Sequence, residues 1–301
     1  MANTVELINL RKSYDHFVAV DGLSLDIPAG CIFGLLGPNG AGKTSTIRMM
    51  IGITAPDAGQ VLLFGEPFRR AHLDRIGYLP EERGLYKRMK VLEHLVFLGE
   101  LKGLRAGEAA SKASWWCDRL QLGEWMEKKV EELSKGMQQK VQFIAALLHD
   151  PTLLILDEPF SGLDPSNTVL LKDILLELKQ AGKTILFSTH RMDTVERLCD
   201  GICLINQGQA VLKGELKQIK SSYGRKDVQL AYEGGDGFLE NNALVQSFNN
   251  YGNYVEVRLA PGADPQQLLQ QAAARARVNR FELVEPSLEA IFIETVSKVH
   301  A

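Results

Sequence analysis

Residues 37–44 read GPNGAGKT, with the apolar run CIFGLL (31–36) directly before them and STIRMM (45–50) after. The octet fits G-x-x-x-x-G-K-[ST], a phosphate-binding loop, and the setting of strand before and helix behind makes the match specific. Glycines let successive backbone N–H groups turn inward around an anion, and the following helix adds its positive N-terminal end. Gly37, Asn39, Gly40, Ala41 and Gly42 are therefore expected to wrap phosphates. Lys43 is expected at the β- and γ-phosphates, the Thr44 hydroxyl on Mg²⁺, and Ser45 at the α-phosphate. The ligand this predicts is a nucleoside triphosphate.

Farther along the chain, Leu153–Glu158 reads LLILDE, a buried strand ending in two acids. Asp157 is placed to hold Mg²⁺ through water and Glu158 to polarise an attacking water. A strand ending in Asp-Glu is common by itself, and the upstream loop gives this one its meaning. Cys31–Leu36, Thr184–Ser188 and Ile202–Asn206 read as further short buried strands, alternating with helical patterns. That alternation predicts a parallel sheet with helices on its faces.

Between Val91 and Glu132 the pattern turns continuously helical. Leu92, Leu95, Val96, Leu98 and Leu101 form one stripe, and a second helix runs around Trp115–Leu120, which predicts an inserted helical subdomain over about 85–150. After Gly214, a charged stretch (Glu215–Lys220) leads to a polar junction at Ser221, Ser222 and Gly224. The division expected is a large domain at 1–220 and a small one at 225–301. The small domain reads as strands at Val228–Tyr232 and Tyr254–Leu259, a helix at Pro265–Ala274, a strand at Asn279–Val284 and a last helix from Ser287.

Composition sets outer bounds. With 45% hydrophobic and 24% charged residues over 301 positions, the chain has the balance of an ordinary globular protein. A net charge of −3 gives no basic footprint, which argues against direct nucleic-acid binding. No apolar run approaches the roughly eighteen residues that cross a bilayer, and Met1–Asn9 lacks the layout of a secretory leader, so a cytoplasmic chain is expected. Cys31, Cys117, Cys199 and Cys203 have no paired spacing and indicate neither a zinc site nor a disulfide framework.

Three further motifs stand in order along the chain: LSKGMQ (133–138), SGLD (161–164) and His190 at the end of a strand. With these, about the first 215 residues resemble ABC transporter ATPases. The resemblance implies an α/β P-loop NTPase of ABC type: a mixed core sheet with flanking helices, an inserted helical subdomain, and here a small C-terminal α+β domain. It implies ATP and Mg²⁺ as cofactors and a head-to-tail dimer, a homodimer if both copies are this chain. Each phosphate loop would face the partner's signature, where Ser134, the Gly136 N–H and a helix start form a second anion clamp.

Tyr14 would stack on adenine, with core packing as the alternative; Asp164 would belong to the D-loop of the nucleotide site, and His190 would touch the γ-phosphate. Two departures from the family pattern stand out. The Q-loop glutamine falls on Glu81 within IGYLPEE (76–82), an acid that can still supply oxygen to Mg²⁺ or to the water. The signature carries Lys135 and Met137 in place of Gly and Gln; Lys135 either brings a cation to the trans phosphate or faces solvent.

The tail PSLEAIF (286–292) resembles that of the sodium-exporter-like, drug-exporter-like branch of the family. The function this implies is an ATPase subunit that drives separate integral membrane permease subunits from the cytoplasmic face. The terminal domain would then be a stabilising cap, or a regulatory or dimer-supporting element. The alternative is a soluble ABC ATPase acting on a cytosolic scaffold. A switch that binds ATP without turnover is disfavoured by the presence of both Glu158 and His190.

Overall fold

Two long strands open the chain, β1 (Asn3–Tyr14) and β2 (Phe17–Pro28), in a computed structural model that describes residues 2–82, 84–223, 227–240 and 242–299. Sequence reading places no strand before Cys31. The reason is visible in the pairing: register shifts between Leu7 and Leu10 and between Lys12 and Ser13 break the period-two alternation that marks a strand. The chain continues through the fully buried β3 (Ile32–Leu36) into α1 (Lys43–Met50). β4 (Ala58–Leu63) and β5 (Glu66–Pro67) then complete a four-stranded antiparallel sheet in the order β2-β1-β4-β5.

After β6 (Ile76–Leu79) come α2 (Val91–Leu101), α3 (Ala106–Arg119) and α4 (Lys135–Leu147). β7 (Leu153–Asp157), α5 (Pro165–Gln180), β8 (Thr184–Thr189), α6 (Met192–Leu198), β9 (Gly201–Asn206) and β10 (Gln209–Glu215) follow. The second sheet runs β10-β9-β3-β8-β7-β6, and β9, β3, β8, β7 and β6 pair in parallel. β3 sits between two strands that come much later in the chain, and in such sheets ligands gather at the carboxyl ends of the strands where the order switches. The phosphate loop leaves from that end of β3, and Asp157 ends β7.

Val5, Leu25 and Ile27 of the antiparallel sheet share one core with Leu35, Ile155 and Leu186 of the parallel one. Full burial of each such side chain contributes about 1.5–3 kcal/mol. A polar stitch joins the layers at one point, where the Thr4 and Thr184 hydroxyls lie 3.0 Å apart.

The helical region departs from expectation in two ways. Beyond Leu120 it is not continuous helix: Gln121 takes a φ of +59°, and only short 3-10 turns follow at Gly123–Trp125 and Val130–Glu132. The buried face of α2 is Val91, His94, Leu95 and Gly99, offset from the predicted stripe; Leu101 is 66% exposed. A histidine accepted into the core rotates that face. Gly99 helps, lying close enough to Ala109 of α3 that an added Cβ would stand 2.9 Å from the Ala109 Cβ.

The chain divides into two units, Met1–Gly214 and Glu215–Ala301. The second holds α7 (Leu216–Tyr223), β11 (Asp227–Glu233), β12 (Val245–Asn250), β13 (Val255–Leu259), α8 (Pro265–Arg275), β14 (Arg277–Val284) and α9 (Leu288–Val299). Gly224 of the expected junction and residue 225 lie outside the described residues. The strand order β12-β13-β11-β14 is antiparallel throughout. Val228, Leu230, Val257 and Leu268 form its core. Beside that core Arg258 grips Asp227 through two bonds (2.9 and 3.2 Å) and also pairs with Glu294. Sequence reading misses β12, whose residues are half-buried or exposed at an edge of the sheet.

All four cysteines are free. Burial pushes the Cys31 thiol up to about 11 and those of Cys117 and Cys203 up to about 12, and raises Cys199 as well.

Candidate functional site

Gly42 is the N-cap of α1 and takes a φ of +107°, a left-handed conformation open to glycine. A Cβ there would come within 2.3 Å of the Ala19 carbonyl oxygen, so space and backbone angle both demand glycine. No side chain caps this helix, which leaves the first-turn N–H groups to an anion. Lys43 follows, 7% exposed, and donates to the carbonyls of Gly37 (2.8 Å) and Pro38 (3.1 Å), drawing the loop around its ammonium. Burial lowers the Lys43 pKa from its ordinary 10.5, while Glu158, Asp157 and Glu81 act in the opposite sense.

Those three acids line one cavity of about 300 Å³ with Tyr14, Asn39, Gly40, Ala41, Gly42, Lys43, Thr44 and Ser45. Consecutive residues of a strand point to opposite faces, yet Asp157 and Glu158 both reach this cavity. The chain achieves this by leaving β7 through a left-handed turn, with φ of +50° at Glu158, a conformation that costs a non-glycine residue about 1–2 kcal/mol. Such strain persists where surrounding structure holds it. Here the Glu158 N–H donates to the Ser188 carbonyl and hydroxyl at 3.2 and 3.1 Å.

The Glu158 carboxylate is held at both oxygens. Thr189 donates its hydroxyl to Oε2 at 3.2 Å, and His190 Nδ1 lies 2.9 Å from Oε1. Asp157 is fully buried; its Oδ1 accepts from the Ser188 hydroxyl, and its Oδ2 has no partner among the described residues. An orphaned buried carboxylate oxygen beside a phosphate loop fits a cation or its bound water. Thr44 and Glu81 line the same cavity, and their side-chain oxygens are of the kind that Mg²⁺ accepts.

Among the described residues the cavity excludes four predicted site residues and the loop's first glycine. Ser134 caps α4, its hydroxyl accepting from the Met137 N–H at 3.3 Å, and Gly136 follows in the first turn. Asp164 caps α5 by accepting from the Asn167 N–H (2.9 Å) and side-chain amide (2.5 Å). His190 reaches the cavity only through Glu158, and Gly37 through Lys43, whose ammonium donates to the Gly37 carbonyl. Phe17 and Ala19, which line the cavity, are absent from the sequence reading. Phe17 faces Tyr14 across the β1–β2 turn, and the two-residue spacer (Asp15-His16) is the signal that pairs them.

Residues 20–161 match the family model described as ABC transporter, and residues 214–296 match the model of the ATP-binding protein DrrA1-3-like, C-terminal domain. The chain is 45% identical over 292 residues to the Uncharacterized ABC transporter ATP-binding protein YhaQ of Bacillus subtilis, covering 97% of this chain and 98% of that one. This chain belongs to the ABC transporter ATP-binding proteins. Among similar family members is the Nod factor export ATP-binding protein I of Sinorhizobium fredii, 35% identical over 98% of this chain and 86% of that one. The solved ATP-binding subunit of an ABC transporter superimposes with a TM-score of 0.68 at 32% identity, over 73% of this chain and 93% of that one. The likeness to this ABC ATP-binding subunit extends over about three quarters of the chain and shows the fold there. The DrrA1-3-like match lies over the second unit.

Proposed function

We propose that this ABC ATP-binding chain hydrolyses ATP and that the resulting opening and closing of a head-to-tail dimer drives separate membrane-spanning subunits of an exporter. The observation that carries the hydrolytic part is the grip on Glu158. A carboxylate pinned at both oxygens by Thr189 and His190, across the cavity from Lys43, is oriented to take a proton from water attacking the γ-phosphate. The Lys43 ammonium and the first-turn N–H groups of α1 hold the phosphate oxygens. Asp157, Thr44 and Glu81 would hold Mg²⁺, which when bound neutralises charge on the phosphates. Tyr14, 41% exposed and paired with Phe17, offers an aromatic face to the adenine ring.

The dimer reading rests on Ser134. Its lone pair serves the α4 cap, which leaves its O–H, with the exposed start of α4, to meet an anion brought by a second copy. Asp164, at the start of α5, would border that interface, and a homodimer supplies both halves. Lys135 is exposed beside Ser134 and would add a cation there. Export is supported by the name of the Nod factor relatives. The permease is read as separate membrane subunits on whose cytoplasmic face this chain sits, a reading supported by the relatives' names as ATP-binding proteins of transporters; among the described residues no helix is long and apolar enough to cross a membrane. The boundary between the two units falls at Gly214/Glu215 and not after residue 220, so α7 goes with the second unit; we assign the first unit to the ATPase and the second to an accessory or regulatory domain.

The test is affinity capture of tagged Glu158→Gln protein from detergent-solubilised membranes in Mg-ATP, alongside phosphate release by the unaltered chain. A multi-spanning protein retained with the variant, and phosphate released by the wild type, is the expected result. Retention of a cytosolic scaffold alone would replace the transport reading with a soluble ATPase.

A further inference from the structure

α4 begins at the signature and then bonds to the backbone beside two of the three acids of the phosphate cavity, Glu158 and Glu81. Two glutamines on one face of it, Gln139 and Gln142, are 3% and 6% exposed. Gln139 Nε2 donates to the Pro159 carbonyl at 3.3 Å, the residue after Glu158. Gln142 Nε2 donates to the Glu82 carbonyl at 3.2 Å, the residue after Glu81. Each buried amide thus holds the backbone one residue beyond an acid that lines the cavity.

Gln142 is the more informative of the two, because its Oε1 is buried with no partner among the described residues. A buried amide with one oxygen unmatched is less stable than an apolar side chain of the same shape. Packing alone does not explain it. α4 also lies against β6 with no slack: a Cβ on Gly77 would fall 2.1 Å from the Ala146 carbonyl oxygen. β6 is the strand that delivers Glu81, so helix and loop are joined twice, by backbone contact at Gly77 and by the amide at Glu82. Gln142 lies eight residues beyond Ser134, a distance of roughly 12 Å along the helix axis.

We propose that Gln142 is a positioning residue for the nucleotide site: by holding the Glu82 carbonyl it sets Glu81 in the phosphate cavity and ties that acid to the helix that starts at the signature. The inference rests on the reading of Glu81 as an oxygen donor toward Mg²⁺ or its water. Gln142 touches no ligand; it acts through the loop.

Binding of a fluorescent ATP analogue to the full chain, titrated with Mg²⁺, separates the two ideas. Gln142→Met keeps the shape and removes both the donor and the orphan oxygen, so its melting temperature should hold or rise. The Mg²⁺ concentration for half-maximal binding should increase about tenfold, as when a ligand's supporting partner is lost, while affinity at saturating Mg²⁺ stays the same. In a Glu81→Ala background Gln142→Met should add nothing. If Glu81→Ala shifts the Mg²⁺ requirement and Gln142→Met does not, or if their effects add, Gln142 does not act through Glu81 and the proposal fails while the reading of Glu81 stands. If Glu81→Ala changes nothing, that reading fails and takes the proposal with it. Gln142→Leu repeats the test should the methionine variant fold poorly.

Discussion

His190 Nδ1 and Glu158 Oε1 lie 2.9 Å apart, and the histidine side chain is 58% exposed while the glutamate is only 12% exposed. The contact joins a largely buried carboxylate to an exposed imidazole. Glu158→Gln removes the acceptor and should lower ATP turnover by about 10²–10⁴-fold with ATP affinity retained. His190→Ala leaves Thr189 on the other oxygen, so the carboxylate is loosened and not lost; a fall in kcat of about 10²-fold at most is expected. Phosphate release under single-turnover conditions distinguishes the two.

Lys43 predicts opposite effects on binding and on stability. Its pKa is lowered from 10.5, chiefly by burial, so the folded chain disfavours the charge that ATP requires. Nucleotide binding restores the charged form; affinity should be full at neutral pH and fall as pH rises toward 10.5, measurable as Kd against pH. The stability associated with the depressed value is present above 10.5 and lost as pH falls through the folded pKa. Lys43→Met should therefore raise the melting temperature of the nucleotide-free protein at neutral pH. The same change should weaken ATP binding by about 1.5–3 kcal/mol, the scale of a charged hydrogen bond.

His94 is fully buried in α2, with neither ring nitrogen partnered among the described residues and Tyr86 edge-on at 5.7 Å. Burial depresses its pKa from 6.5, so the unfolded chain takes the proton first. The corresponding stability is complete above 6.5 and is lost as pH falls through the folded value. His94→Leu should flatten that acid limb and raise stability by about 1–3 kcal/mol through loss of the orphan nitrogens. Thermal unfolding of both proteins on either side of 6.5 checks it.

In the second unit, Asp227 has a side chain only 2% exposed and depends on Arg258. Arg258→Met leaves that carboxylate buried without its cation and should cost the unit about 3–5 kcal/mol. Calorimetry of the full chain should then show a separate, lower unfolding transition. A single unchanged transition would mean that the ion pair contributes little.

What the sequence disclosed and what it hid follow from range. The phosphate loop, Asp157 and Glu158 were legible because their chemistry lies in adjacent residues on a strand end. Glu81 needed the family resemblance, since an acid after Leu79-Pro80 carries no local sign of facing a phosphate. Phe17 was hidden by a hairpin that pairs it with Tyr14. β12 was hidden by its polar composition at an edge. Gln139, Gln142 and His94 drew no expectation, because a polar residue in a helical stretch carries no local sign of burial. Gln139 and Gln142 are buried against Pro159 and Glu82, 20 and 60 residues away in sequence.

The cysteines described above give the chain a practical property. Thiolates, not thiols, react with maleimides and similar probes, and the four native thiols are all held above their ordinary 9.0 by burial. Toward such reagents at neutral pH the four thiols are expected to react slowly, Cys117 and Cys203 being buried and Cys31 and Cys199 half-buried. A single cysteine introduced at an exposed position, such as Phe17→Cys at the mouth of the cavity, can therefore carry a spectroscopic label in an otherwise native background.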